Sequence, residues 1–283
     1  MKKIRKGDIV GRISYGKDIL FIVNRILECN DRKIAILKGL TLRIEADAPI
    51  EDLVIMDKTR IQNHMRSLDK RLETRVNKII GITQKVSPMF KQRIQRNTRD
   101  HKTIYTGKIL HLDGDKKYTD KSLKYYRELG LNAVVRNIAE NKQPFLVKSL
   151  LEKYRPDILV ITGHDGMIKT GTGYHDIYNY RNSKYFIRTV KEARNWDKNR
   201  QLVIFAGACQ SFFEALMSAG ANFASSPARV LIDFADPLIV AEKIATTESY
   251  KYVTIEDIAP ELRDGMSGVG GTGAKGKQEI LTM

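Results

Sequence analysis

Ile158-Leu159-Val160-Ile161-Thr162-Gly163-His164-Asp165-Gly166 is an apolar run that ends in a histidine and a glycine turn. A second run, Leu202-Val203-Ile204-Phe205-Ala206-Gly207-Ala208-Cys209-Gln210-Ser211, ends in small residues and a cysteine. Unbroken apolar runs bounded by turn residues read as strands buried on both faces, as in a parallel sheet. Each then brings a reactive side chain to the carboxyl edge, where open α/β sheets form their sites. A thiol and an imidazole on neighbouring strand ends are the parts of a cysteine nucleophile and its base. The leading expectation is a cysteine peptidase, with Cys209 as nucleophile and His164 as its partner.

The surrounding sequence supports a doubly wound α/β pattern with a mostly parallel sheet. Strands are expected at Lys108–Leu112, Asn132–Arg136 and Arg229–Phe234, besides the two quoted runs. Helices are expected at Tyr118–Leu129, Pro144–Tyr154, Tyr185–Trp196 and Leu238–Thr246, the last started by Asp236-Pro237. Gln210–Ala219 is expected as a helix that turns its free N–H groups toward the Cys209 sulfur, which would lower its pKa.

Upstream, residues 1–57 carry short β signals separated by turns such as Tyr15-Gly16-Lys17-Asp18. They predict a small barrel-like β module. Residues 58–104 hold thirteen Lys and Arg against three acids, a net of +10. Ile61, Met65, Leu68, Leu72, Val76 and Ile79 fall on one helical face, and Ser87-Pro88 interrupts the pattern. This reads as a basic helical connector. Residues 105–264 would form the α/β peptidase domain, and the glycine-rich residues 265–283 a flexible tail.

Composition narrows the classes. The 283 residues carry a formal net charge of +16, a lean toward polyanions, acidic proteins or anionic surfaces. Two cysteines, Cys29 and Cys209, do not make a disulfide scaffold and point to a cytosol-like compartment. The basic N-terminus lacks a signal-peptide core, and no apolar run approaches the ~18–20 residues that cross a bilayer. No zinc-ligand spacing, dinucleotide fingerprint or nucleophile elbow occurs, so no metal or cofactor is expected. Lys169 with Gly171-Thr172-Gly173 is similar to a phosphate loop in composition only. Asp113 and Asp115 resemble an acceptor pair but read better as a polar turn. Nucleic acid binding by the basic half is the competing reading, which interleaved aromatics or a recognised motif would have supported. A third makes the N-terminal module a docking element.

For the leading reading, an oxyanion hole is expected from the N–H of Cys209 and one from Asp165 or Gly166.

A strand ending in His with glycine close behind, followed by one ending in Ala-Cys, resembles the caspase–gingipain–clostripain peptidases. Asp165 intervenes here before the glycine that usually follows the histidine directly. A broader likeness runs through Gly7-Asp8-Ile9-Val10, Lys17-Asp18-Ile19-Leu20-Phe21, Ala35-Ile36-Leu37-Lys38-Gly39, Arg43-Ile44-Glu45-Ala46-Asp47-Ala48-Pro49 and Gly107-Lys108-Ile109-Leu110-His111-Leu112-Asp113-Gly114-Asp115. With the motifs around His164 and Cys209, these resemble the YabG sporulation-specific peptidase family. The resemblance implies a caspase-like α/β core, Cys209 and His164 as the catalytic pair, and cleavage next to basic residues, arginine in particular. An arginine pocket would then need a buried carboxylate, for which Asp165, Asp176 and Asp233 are the candidates by position. It further implies spore coat and cortex-associated proteins as substrates, in the mother cell of an endospore-forming bacterium.

Overall fold

The computed structural model describes residues 3–29, 32–96, 102–168 and 173–282. The N-terminal module contains strands β1 (Ile9–Arg12), β2 (Phe21–Cys29), β3 (Arg32–Gly39), β4 (Glu45–Pro49) and β5 (Leu53–Ile55). They form one antiparallel sheet in the order β4-β3-β2-β1-β5. Only residues 50–52 separate the two edge strands, a span of about 10 Å, so the sheet must curl strongly. No ladder joins β4 to β5 among the described residues.

Helix α1 (Lys58–Arg96) follows as a single 39-residue element. It runs through Ser87-Pro88, where the sequence predicts a break; one missing N–H is compatible with a helix that continues past it. The stripe expected of it is used at two places. Ile61 and Met65 pack on Leu20, Leu40 and Met56 of the N-terminal module. Leu68, Leu72 and Val76 pack with the main core. One amphipathic face therefore pins both parts together.

The rest of the chain alternates β6 (Lys102–Tyr105), β7 (Ile109–Asp113), α2 (Lys116–Glu128), β8 (Ala133–Asn137), α3 (Gln143–Tyr154), β9 (Ile158–Thr162), α4 (Ser183–Trp196), β10 (Val203–Ala206), α5 (Phe213–Ser218), β11 (Phe223–Ser225) and α6 (Asp236–Thr246). The chain ends with β12 (Tyr252–Val253), α7 (Ile255–Ile258), α8 (Gly265–Gly268), β13 (Val269–Gly271), β14 (Ala274–Lys275) and β15 (Glu279–Thr282). The central sheet has the order β13-β11-β10-β9-β7-β8. Its first five strands in chain order are parallel; β13 adds antiparallel to β11.

Strand alternation splits the core between the two faces. Ile109, Ile158, Val160, Val203 and Phe205 face the side covered by α2 and α6. Leu110, Leu112, Leu159, Ile161 and Ile204 face α3 and α4. This is why β9 and β10 read as continuous apolar runs.

Three expectations change. The apolar residues of Arg229–Phe234 form no strand of the sheet; Ile232 and Phe234 are buried in an irregular segment. The next sheet position is taken by β11, three residues too short to announce itself. The glycine-rich stretch expected as a tail supplies β13, and β15 pairs with β6. A Cβ at Gly271 would meet Asn222 O at 2.4 Å, so small residues there serve close strand packing rather than flexibility.

Candidate active site

Strand order reverses between β7 and β9, with β8 outside one and β10 outside the other. The crevice at such a switch point is where ligands bind in open α/β sheets. β7 ends there at Asp113, β9 is followed by Gly163-His164-Asp165, and β10 by Gly207-Ala208-Cys209.

His164 is fully buried and held by its backbone: its N–H donates to Glu140 Oε1 at 2.9 Å, and its carbonyl accepts from Asn182 Nδ2 at 2.8 Å. Gly163 must be glycine because a Cβ would lie 2.6 Å from Glu140. The ring stacks on Tyr118 at 5.5 Å, and Nε2 lies 3.3 Å from Gly39 O. A carbonyl only accepts, so this contact assigns the ring proton to Nε2. Nδ1 then carries the lone pair, and it has no hydrogen-bond partner among the described residues. Burial, aided by the charge of Lys38, keeps the ring's pKa below its ordinary value. The neutral ring therefore has a base atom ready at Nδ1.

Cys209 is also fully buried. It shares an apolar cluster with Ile232 and with Val10, Phe21, Val23, Leu37 and Ile44 of the N-terminal module. The thiol faces Ile232 O at 3.7 Å, and burial pushes it up to about 12. In this arrangement it is protonated, and neither His164 nor Cys209 is the other's hydrogen-bond partner among the described residues. The expected helix does not begin at Gln210. Gln210 adopts φ +55, Ser211 Oγ turns back to accept from Ala208 N at 2.9 Å, and α5 starts at Phe213. The sulfur thus stands at a tight turn rather than at a helix N-terminus.

The backbone here is more telling than the side chains. The N–H of Cys209 (3.3 Å) and the N–H of Asp165 (3.0 Å) both donate to one oxygen, the carbonyl of Arg43. Two strand-end amides thus converge on a single carbonyl beside the thiol. Gly166, the other expected donor, is not available: its N–H donates to Asp165 Oδ1 at 2.9 Å.

Arg43 belongs to the excursion between β3 and β4, closed at its base by Gly39 N donating to Ile44 O at 2.8 Å. The sequence predicts a strand over Thr41–Ala46. Instead, Leu42 makes an isolated antiparallel bridge to Asp233 and Ile44 a parallel bridge to Asp165. The Arg43 side chain has no solvent exposure. Its Nη1 donates to Asp113 Oδ2 at 2.6 Å, and the guanidinium lies 4.7 Å over Tyr118 and 5.3 Å over Phe234. Despite its burial, the neighbouring guanidinium holds the Asp113 carboxyl below the usual range.

The three candidate pocket acids have different surroundings. Asp165 is buried, but its carboxylate accepts from Gly166 N, Asn182 N, Ser183 Oγ and Ser211 Oγ, leaving no free face for a guanidinium. Asp176 is exposed and caps a short turn through Tyr178 N. Asp233 accepts from Ala235 N and pairs with Arg71 of α1 at 2.7 Å. Sequence reasoning passes over Arg43 and Tyr118 and reads Asp113 as part of a polar turn. The available signal was Asp113 at the carboxyl end of the first parallel strand. Residues 169–172, most of the phosphate-loop-like stretch, lie outside the described residues. No cluster of His, Cys, Asp and Glu is placed to hold a metal ion among the described residues. No helix among them is long and apolar enough to cross a membrane.

Comparison with known proteins identifies the class: a peptidase of α/β fold. The family model described as YabG peptidase U57 matches residues 5–282. The sporulation-specific protease YabG of Bacillus subtilis (strain 168) is 38% identical over 280 residues, covering 97% of this chain and 96% of that protein. The chain belongs to the YabG peptidase family. Among solved structures, a LuxR-family two-component response regulator from Aurantimonas sp. SI85-9A1 aligns at 20% identity. It covers 50% of this chain and 85% of that one, at a TM-score of 0.31, and no argument rests on it.

Proposed function

We propose that this chain is a cysteine endopeptidase with a caspase-like core that cleaves spore coat and cortex-associated proteins during sporulation, next to arginine. Cys209 is the nucleophile and His164 the base. The observation that carries the reading is the convergence of the Cys209 and Asp165 amides on one carbonyl oxygen. Two N–H donors aimed at a peptide oxygen would stabilise the oxyanion of acyl transfer, each worth roughly 3 kcal/mol. The free lone pair on His164 Nδ1 supplies the base.

The cycle balances as follows. Nδ1 takes the thiol proton and the sulfur bonds to the substrate carbonyl carbon. The C–N bond breaks, and Nδ1 gives the proton to the departing amine. Water then cleaves the thioester, releasing the acid and restoring the thiol. The sporulation setting is carried over from the relative's description.

The test uses purified Cys209→Ala and His164→Ala beside the parent, with an arginine-containing coat protein as substrate. Both variants should lose at least about a thousandfold in cleavage rate. Undiminished cleavage by either ends this reading.

A further inference from the structure

Arg43 is an unusual residue to bury completely. Removing a guanidinium from water carries a large penalty, offset only when the charge is paired and every donor is satisfied. Here Nη1 has its carboxylate, but Nε and Nη2 have no hydrogen-bond partner among the described residues. An apolar side chain of similar size would hold the N-terminal module to the sheet at least as firmly. Stability alone does not account for the choice.

The main chain around Arg43 does. Residues 42–44 are bridged on one side by Asp233 and on the other by Asp165, so they lie between the two walls of the crevice. This is the way an extended peptide adds itself to exposed backbone, with affinity from the main chain and selectivity from side-chain slots. The Arg43 carbonyl sits on the two amides, and its side chain enters a slot closed by Asp113, Tyr118 and Phe234. A carboxylate beneath a guanidinium with aromatic faces alongside is specific for a planar cation. Close approach is built in: a Cβ on Gly166 would lie 2.2 Å from Glu45 O, and one on Gly39 2.3 Å from Leu42 O.

We propose that Asp113 is the carboxylate that receives the arginine of protein substrates, and that Arg43 is a tethered occupant of the same slot. The crevice is then closed by the chain's own N-terminal module until residues 40–45 withdraw. The inference rests on the peptidase reading above. It makes Asp113 the residue that determines specificity, and it explains why the thiol lies under the module's apolar residues.

Two experiments separate this proposal from that reading. The first is a binding test in the inactive Cys209→Ala background, with ethylguanidine as probe. Removing the occupant with Arg43→Ala should create a slot that ethylguanidine fills, raising the melting temperature. The Cys209→Ala protein with Arg43 in place should not respond, and neither should Arg43→Ala combined with Asp113→Asn. An absent response in Arg43→Ala, or an equal one in all three, overturns the proposal, whatever the nucleophile is.

The second compares peptides carrying arginine or its neutral isostere citrulline before the scissile bond. The double variant Arg43→Met/Asp113→Asn removes both buried charges together, so it keeps the proposal open to refutation even should Arg43→Ala fail to fold. Its kcat/KM preference for arginine should fall at least about a hundredfold relative to the parent. Full retention of that preference overturns the assignment of Asp113 while leaving Cys209 and His164 intact. Loss of Cys209 dependence in the same assay would instead remove the peptidase reading.

Discussion

Two fully buried aspartates stand a few residues from the same sheet edge and are treated in opposite ways. Around Asp165 the loops of the α/β part supply everything: the N–H groups of Gly166 and Asn182 and the hydroxyls of Ser183 and Ser211, all neutral. Burial dominates there and pushes its pKa up to about 6. Around Asp113 the principal partner is a charge delivered from about seventy residues upstream in another module, and its carboxyl is held below the usual range. A carboxylate satisfied by neutral donors that join neighbouring loops is a brace. One satisfied by a cation from elsewhere is a receptor for cations, and its present partner can be exchanged for another.

The sharpest way to break that comparison is to remove the brace. Asp165→Ala strands two backbone donors and leaves Ser183 and Ser211 without their acceptor, at ~1–3 kcal/mol for each unsatisfied group that stays dry. We expect an overall loss of ~3–5 kcal/mol in urea unfolding. Asp165→Asn should cost only about 1 kcal/mol, because its oxygen can serve the amides while the hydroxyls rotate to accept. The pH dependence follows. A carboxyl with a folded pKa of about 6 binds a proton that the unfolded chain, at 3.8, has released. Its contribution therefore favours folding at the acid end of that window and is lost as pH rises through 6. Asp165→Asn should remove that part of the slope. An Ala variant as stable as the Asn variant would make Asp165 no brace at all.

A smaller effect sharpens the other side. His111, fully buried beside Asp113, contacts Thr162 Oγ1 at 2.8 Å and Tyr126 OH at 3.2 Å. Burial brings its pKa from 6.5 down to about 3, so the folded ring stays neutral while the unfolded ring charges. Stability from this group is complete above about pH 6.5 and is lost as pH falls toward 3. Between pH 6.5 and 4.5 the loss should be about 2 kcal/mol. Asp165 and Asp236 act in the opposite sense, so the informative quantity is the difference between parent and His111→Gln. Identical pH slopes for the two proteins would show that His111 is not held neutral by burial.

The same contrast explains what sequence could and could not show. β9 and β10 were readable because a strand buried on both faces needs unbroken apolar residues. The amides of Cys209 and Asp165 were reachable because they follow those strands directly. Arg43 was not. Within Thr41-Leu42-Arg43-Ile44 it looks like the outward-facing charge of an edge strand, and only the tertiary bridges to Asp165 and Asp233 turn it inward. Asp113 was seen but taken for a turn acid, since its partner lies in a different module. The Arg229–Phe234 residues read as a strand because burial, of Ile232 under the N-terminal module and of Phe234 in the main core, selects the same apolar types as a sheet does.

The least effect is expected at Asp233, and it is informative for that reason. Asp233 bridges the Arg43 segment by backbone, as Asp165 does, but its side chain turns outward to Arg71. Arg71 is 54% exposed while Asp233 is buried, so the pair is partly open to solvent, where such bridges contribute about 1 kcal/mol or less. Arg71→Ala should change stability by no more than that, and ~0.5 M salt should shrink the difference further. Asp233→Asn should leave the arginine-over-citrulline preference within about twofold of the parent, because the exchange alters a carboxylate outside the slot. If Asp233→Asn instead depressed that preference more than Asp113→Asn, the cation receptor would lie on the outer wall of the crevice, and Arg43 would be a structural tie.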